Sequence, residues 1–172
     1  MKKVGIVACS NGLEPRCREE IETLTALLQQ AGTQVKFSSC IYRKDGPFSG
    51  TGRQRAEELN RLFADPEISE IYDISGGDMA NEILDCLDFD RIAESGAELW
   101  GYSDLTTVLN AIYARTGKSS VLYQIRNLTQ GEYQSLQQHR YFHRQELFNP
   151  SFRMVQGKSM EGTVIGGNIR AF

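Results

Sequence analysis

The chain has 172 residues, a net charge of −3, 40% hydrophobic and 24% charged residues, which suits one domain with a real core. It has no long basic run, which excludes an evident nucleic-acid surface, and no apolar stretch approaching membrane-spanning length. The cysteines, Cys9, Cys17, Cys40 and Cys86, form no Cys-x-x-Cys pair, and reduced structural thiols in a cytoplasm fit that pattern.

Residues 1–10 imitate a signal peptide, but their apolar part is short and runs into the turn Ser10-Asn11-Gly12. Residues 4–9 therefore read as a first strand, apolar on both faces. Pro15 suits the first turn of a helix whose apolar face carries Ile21, Leu24, Leu27 and Leu28. Val35 and Phe37 begin the next extended piece, which reaches toward residues 40–42. Residues 44–52 form a loop dense in turn formers, and a helix with Ala56, Leu59, Leu62 and Phe63 ends at Asp65-Pro66. Ile71, Tyr72 and Ile74 make a third strand closed by Ser75-Gly76-Gly77-Asp78. Ala80, Ile83, Leu84 and Leu87 mark a helix, and a short one starts at Asp88. Residues 98–102 read as a fourth strand and 121–123 as a fifth. Residues 132–147 read as one polar helix with few core positions. Strands alternating with helices imply an α/β fold, a parallel sheet with helices on both faces.

In such sheets function collects at the carboxyl ends of the strands. Three turns expected there are rich in small or polar residues: Ser10-Asn11-Gly12, Ser75-Gly76-Gly77-Asp78 and Gly101-Tyr102-Ser103-Asp104. After Ser103, the residues Leu105, Val108, Leu109, Ile112 and Tyr113 recur at helical spacing, and Thr116-Gly117 supplies a stop. Ser103 thus falls at a strand-to-helix turn, two residues after a glycine, as in a nucleophile elbow. Helix-start N–H groups there would face a developing oxyanion. A full Gly-x-Ser-x-Gly would need glycine where this chain has Leu105. Ser103 or Asp104 as a simple helix N-cap is the alternative reading of the turn.

Other constellations carry less. His139 and His143 share a helix face, but no third zinc ligand is indicated, so no metal and no cofactor are expected. Gly50-Thr51-Gly52 does not follow a strand and lacks a third glycine, and no Gly-Lys-Ser/Thr phosphate loop occurs. Asp88 and Asp90 suit a helix start better than an acid/base pair.

Taken together, Ser75-Gly76-Gly77-Asp78, Asn81, Leu87-Asp88-Phe89, Gly101-Tyr102-Ser103-Asp104-Leu105-Thr106, Thr116-Gly117 and the tail Gly166-Gly167-Asn168 resemble the serine LD-carboxypeptidase family. That family includes murein tetrapeptide carboxypeptidases and microcin C self-immunity peptidases. The resemblance implies a flavodoxin-like N-terminal domain over residues 1–155. It also implies that residues 156–172 are a linker and the first residues of a C-terminal domain. It implies an amide hydrolase with a Ser-Glu-His triad: Ser103 as nucleophile, backbone N–H groups of Asp104 and Gly77 as oxyanion hole, and Gly76, Asp78 and Ser10 at the substrate. The substrate would be a small peptide-like molecule. The family's glutamate and histidine lie beyond Asn168, and neither His139 nor His143 matches them, so this chain alone is expected to be inactive. Tyr123-Gln124-Ile125 departs from the turn expected in murein-acting members. A binding module that holds a peptide or nucleotide without cleaving it is the competing expectation, as is a flavodoxin-like phosphate binder. The apolar Val164, Ile165 and Ile169 should pack poorly on their own domain or pair with a second copy, so a homodimer is expected.

Overall fold

The computed structural model describes residues 2–149, 151, 153, 155–157, 159 and 161–168. Five strands, β1 (Lys2–Val7), β2 (Thr33–Phe37), β3 (Ile68–Asp73), β4 (Glu98–Gly101) and β5 (Val121–Leu122), form one sheet. All pairings are parallel, in the order β2-β1-β3-β4-β5, which is the flavodoxin-like order. The helices are α1 (Arg18–Gln30), α2 (Gly52–Phe63), α3 (Phe89–Glu94), α4 (Thr106–Thr116), α5 (Gln134–Phe142) and α6 (Arg144–Phe148).

Strand alternation divides the core between the two faces of the sheet. Val4, Ile6, Tyr72, Ile74 and Trp100 point to one face, where Ile21, Leu24 and Leu28 of α1 meet them. Val7, Cys9, Ile71 and Leu99 point to the other, against Leu59 and Leu62 of α2 and Val108 and Ile112 of α4. The near-continuous apolar runs follow from that double coverage.

Several local readings hold. Asp88 caps α3 by accepting from Arg91 N at 3.0 Å, and Gly117 ends α4 with φ +73°. Gly50-Thr51-Gly52 opens α2. Thr51 Oγ1 accepts from Gln54 N at 3.2 Å while Gln54 Oε1 accepts from Thr51 N at 2.9 Å, a reciprocal capping box. All four cysteines are free thiols. Among the described residues no helix is long and apolar enough to cross a membrane.

Others are corrected. The helix expected from Ala80 is a 3-10 helix, Ala80–Cys86. The single polar helix over residues 132–147 is two helices broken at His143, whose ψ of 73° is not helical. Its core role was also underestimated. Tyr141 is buried against Tyr72, with hydroxyls 2.6 Å apart, and Arg144 lies over the rings of Tyr141 and Trp100 while pairing with Glu70 at 3.0 Å. Local periodicity misses this anchor because it is made of aromatic and charged groups.

The described residues of the tail form no strand but contact α4: Asn110 Nδ2 donates to the backbone Gly166 O and Tyr113 Oη to the side-chain Thr163 Oγ1, both at 3.3 Å. The side chains of Val164 and Ile165 remain exposed, as anticipated, and Ile169 lies outside the described residues.

Candidate functional site

The strand order reverses between β1 and β3, and a crevice is expected outside their carboxyl ends. A cleft of about 560 Å³ lies there, and the three turns singled out in the sequence contribute Asn11 and Gly12, Ser75 and Gly76, and Tyr102 and Ser103. A Cβ built on Gly76 would stand 3.9 Å from Ser103 Cβ, so the second and third turns are neighbours.

Ser103 follows β4 and opens a 3-10 turn, Ser103–Leu105, that runs directly into α4. It is the one non-glycine residue with positive φ among the described residues, at +59°. Serine in that region is strained by roughly 1–3 kcal/mol and persists only where the surroundings enforce it. The enforcement is visible. Gly101 lets β4 approach the turn, since a Cβ there would sit 3.0 Å from Leu105 Cβ. Leu105 itself is fully buried in the α4-side core, which explains why this turn does without the second glycine of the usual elbow. Ser103 and Asp104 do not cap α4 with their side chains. The Ser103 hydroxyl instead accepts from Asn168 Nδ2 at 3.2 Å, and Asn168 N donates to Thr106 Oγ1 at 3.3 Å.

Asp104 is buried, and its carboxylate joins the three turns. Oδ2 accepts from Ser10 Oγ at 2.5 Å and from Ala80 N at 3.1 Å, and Ser10 Oγ in turn accepts from Met79 N at 3.3 Å. Ser10 is therefore no cleft residue: it is fully buried, spent on Asp104. Gly77 has φ +151°, and a Cβ there would overlap Asn11 Oδ1 at 2.1 Å, so only glycine lets the two turns close on each other. Asp78 is exposed beside them, its N–H 3.4 Å from Asn11 Oδ1.

Two residues that sequence reasoning missed hold this edge in place. Arg55 of α2 is fully buried. Its Nη1 donates to the carbonyls of Cys9, Ser10 and Met79 at 2.5, 3.2 and 3.3 Å, its Nε to Gly50 O at 3.2 Å, and its Nη2 meets Glu82. Asp73, at the end of β3, accepts from Cys9 N at 2.7 Å, Ser75 N at 2.7 Å and Ser75 Oγ at 2.6 Å.

Burial pushes the Asp73 carboxyl up to about 6 from 3.8, against the lowering effect of its hydrogen bonds to Ser75 and Cys9. Between these values the folded chain binds a proton that the unfolded chain has lost. Asp73 therefore makes stability fall as pH rises through the window from about 4 to about 6. The change is about 3 kcal/mol, at about 1.4 kcal/mol per pH unit. Urea midpoints of wild type and Asp73→Asn measured across that window should diverge with this sign. Parallel curves would show that Asp73 does not titrate there.

His139 and His143 stack at 4.3 Å between ring centroids on α5 and its end, and His139 pairs with Glu146 at 3.2 Å. Neither lines the Ser103 cleft. Among the described residues no cluster of three metal-ligating side chains occurs.

Comparison with known proteins gives this arrangement a context. A profile described as "LD-carboxypeptidase N-terminal domain" matches residues 4–123. A probable murein peptide carboxypeptidase of Bacillus subtilis (strain 168) is 28% identical over 176 residues, spanning 96% of this chain and 54% of the relative. The microcin C7 self-immunity protein MccF of Escherichia coli is 39% identical over 90 residues, 52% of this chain and 26% of that one. The solved structure of MccF in complex with glutamyl sulfamoyl guanosine superposes with a TM-score of 0.71 at 25% identity, covering 81% of this chain and 43% of that chain. The chain spans about half the length of curated relatives that it matches over nearly its whole length.

Proposed function

Because the chain belongs to the LD-carboxypeptidase family, matched over residues 4–123, we propose that it is the nucleophile-bearing part of a serine hydrolase that cleaves an amide by acyl transfer. The observation that carries this is Ser103, held at φ +59° on a strand-to-helix turn in the cleft. Its Oγ attacks the amide carbonyl carbon, and its proton passes to a base. The tetrahedral oxyanion is held by backbone N–H groups, for which Asp104 and Gly77 are the candidates. The amine leaves with a proton, and water then releases the acyl group from Ser103. Gly76 and Asp78 border the substrate in this reading, whereas Ser10 acts through Asp104.

In this reading the base is the family's His, oriented by its Glu; neither matches a residue of this chain, and residues 156–172 are the linker toward the domain that carries them. The substrates are a peptide bond to a terminal D-amino acid in a cell-wall tetrapeptide, or a microcin-type aminoacyl nucleotide. Release of D-alanine from a murein tetrapeptide, with the microcin-type substrate in parallel, tests the assignment. Residues 1–172 alone should stay near background, and supplying the C-terminal part should restore turnover. Rapid hydrolysis by residues 1–172 alone would overturn the divided-triad reading and redirect attention to His139 and His143.

A further inference from the structure

The Ser103 cleft has a one-sided chemistry. Arg16, Arg43 and Arg126 line it, with amide side chains such as Gln124 and Asn127, against a single carboxylate, Glu14. This is a donor-rich cavity in a chain of net charge −3. A cleft of one sign focuses the field on a ligand of the opposite sign.

The three arginines are not equivalent. Arg126 is held by a paired contact with Glu20, Nε to Oε1 at 2.8 Å and Nη2 to Oε2 at 2.7 Å, so its charge is matched locally. Arg43 and Arg16 share one partner: Arg43 Nη1 lies 3.2 Å from Glu14 Oε1, and Arg16 Nε 2.5 Å from Glu14 Oε2. That trio keeps one positive charge in excess.

Arg43 is also built into a rigid wall. Its N–H donates to Leu13 O at 2.9 Å, Leu13 N to Ile41 O at 2.8 Å, and Gly12 N to Pro47 O at 2.8 Å, strapping residues 41–47 to the first turn. Its Nε donates to Gly12 O at 3.1 Å, which fixes the guanidinium plane. Arg43 lines the cleft, and among the described residues its Nη2 makes no hydrogen bond. A planar fork with one free edge suits the paired oxygens of a carboxylate or a phosphate-type oxyanion.

We propose that Arg43, with Arg16 beside it, seats an anionic group of the molecule bound at Ser103. This rests on the cleft being the substrate site, but it does not require Ser103 to react. The recognised chemistry is an oxyanion: the free carboxylate of a peptide or a phosphate group.

The test is a titration of the uniformly ¹⁵N-labelled chain with N-acetyl-L-lysyl-D-alanine and with its C-terminal carboxamide. The acid should saturably shift the amide signals of Gly12, Arg43 and Ser103, and the carboxamide should bind about tenfold more weakly, the loss of one charged contact. Arg43→Gln combined with Arg16→Gln should erase that difference. Arg16→Gln alone, at an exposed side chain outside the backbone strap, should narrow it without lowering the melting temperature. Displacement by inorganic phosphate would assign the site to oxyanions at large, and its absence to carboxylates. Equal binding of acid and carboxamide, an unchanged preference in the double variant, or no saturable shift with the acid would overturn the proposal. Ser103→Ala should keep the preference, which separates this site from any failure of the hydrolytic reading.

Discussion

Ser103→Ala, made in the enzyme with its C-terminal part supplied, is expected to lower kcat by on the order of 10³-fold or more. In the proposed acyl transfer, attack, acyl-enzyme formation and deacylation all pass through one oxygen, so no neighbouring hydroxyl would substitute for it. Ser10 is spent on Asp104, and Ser75 Oγ donates to Asp73 at 2.6 Å. What remains should be the binding and oxyanion contribution, on the order of 10³-fold over water in a complete site stripped of its triad. Relief of the +59° backbone strain requires glycine rather than alanine, so Ser103→Ala should leave stability nearly unchanged. Loss of turnover with an unaltered melting temperature is the expected signature. Unchanged turnover would return Ser103 to a purely structural place in the turn.

Arg55→Ala is expected to cost about 3–5 kcal/mol of stability, the range for breaking a buried charged network. The penalty does not arise mainly at Glu82, whose side chain is 45% exposed and can be resolvated. It arises because the carbonyls of Cys9, Ser10, Gly50 and Met79 lose a common donor, and a guanidinium-sized space opens beneath the first two turns. A domain of this size has roughly 5–15 kcal/mol in total, so this loss is a large fraction of its stability. Urea unfolding checks the figure, and a loss below about 1 kcal/mol would mean that water replaces the guanidinium at these carbonyls.

The parallel sheet and the convergence of three turns were legible because they rest on local signals, whereas the strand order class is what the family resemblance implies. Apolar runs such as residues 4–9 report double burial, and glycines at 76, 77 and 101 mark where backbones approach. The side-chain lattice beneath the turns was not legible. Arg55 sits in Arg53-Gln54-Arg55-Ala56-Glu57-Glu58, which reads as a solvated helix face. Its burial is decided by carbonyls up to 46 residues away. The family resemblance puts Ser10 at the substrate, and only the position of Asp104, 94 residues later, turns it inward. Asn168 was noticed as part of a glycine pattern, but its 3.2 Å contact with Ser103 depends on the path of the tail along α4. Tyr141 and Arg144 do not stand out in the sequence because a mixed aromatic and charged helix carries no simple apolar stripe.

A fluorophosphonate probe addresses the proposed nucleophile, Ser103, at the atom concerned. The enzyme with its C-terminal part supplied should be labelled, digested and mapped by mass spectrometry. One phosphonyl adduct is expected, on the peptide containing Ser103, absent from Ser103→Ala and formed far more slowly by residues 1–172 alone. An adduct on another residue, or none in an enzyme that still releases D-alanine, would contradict it.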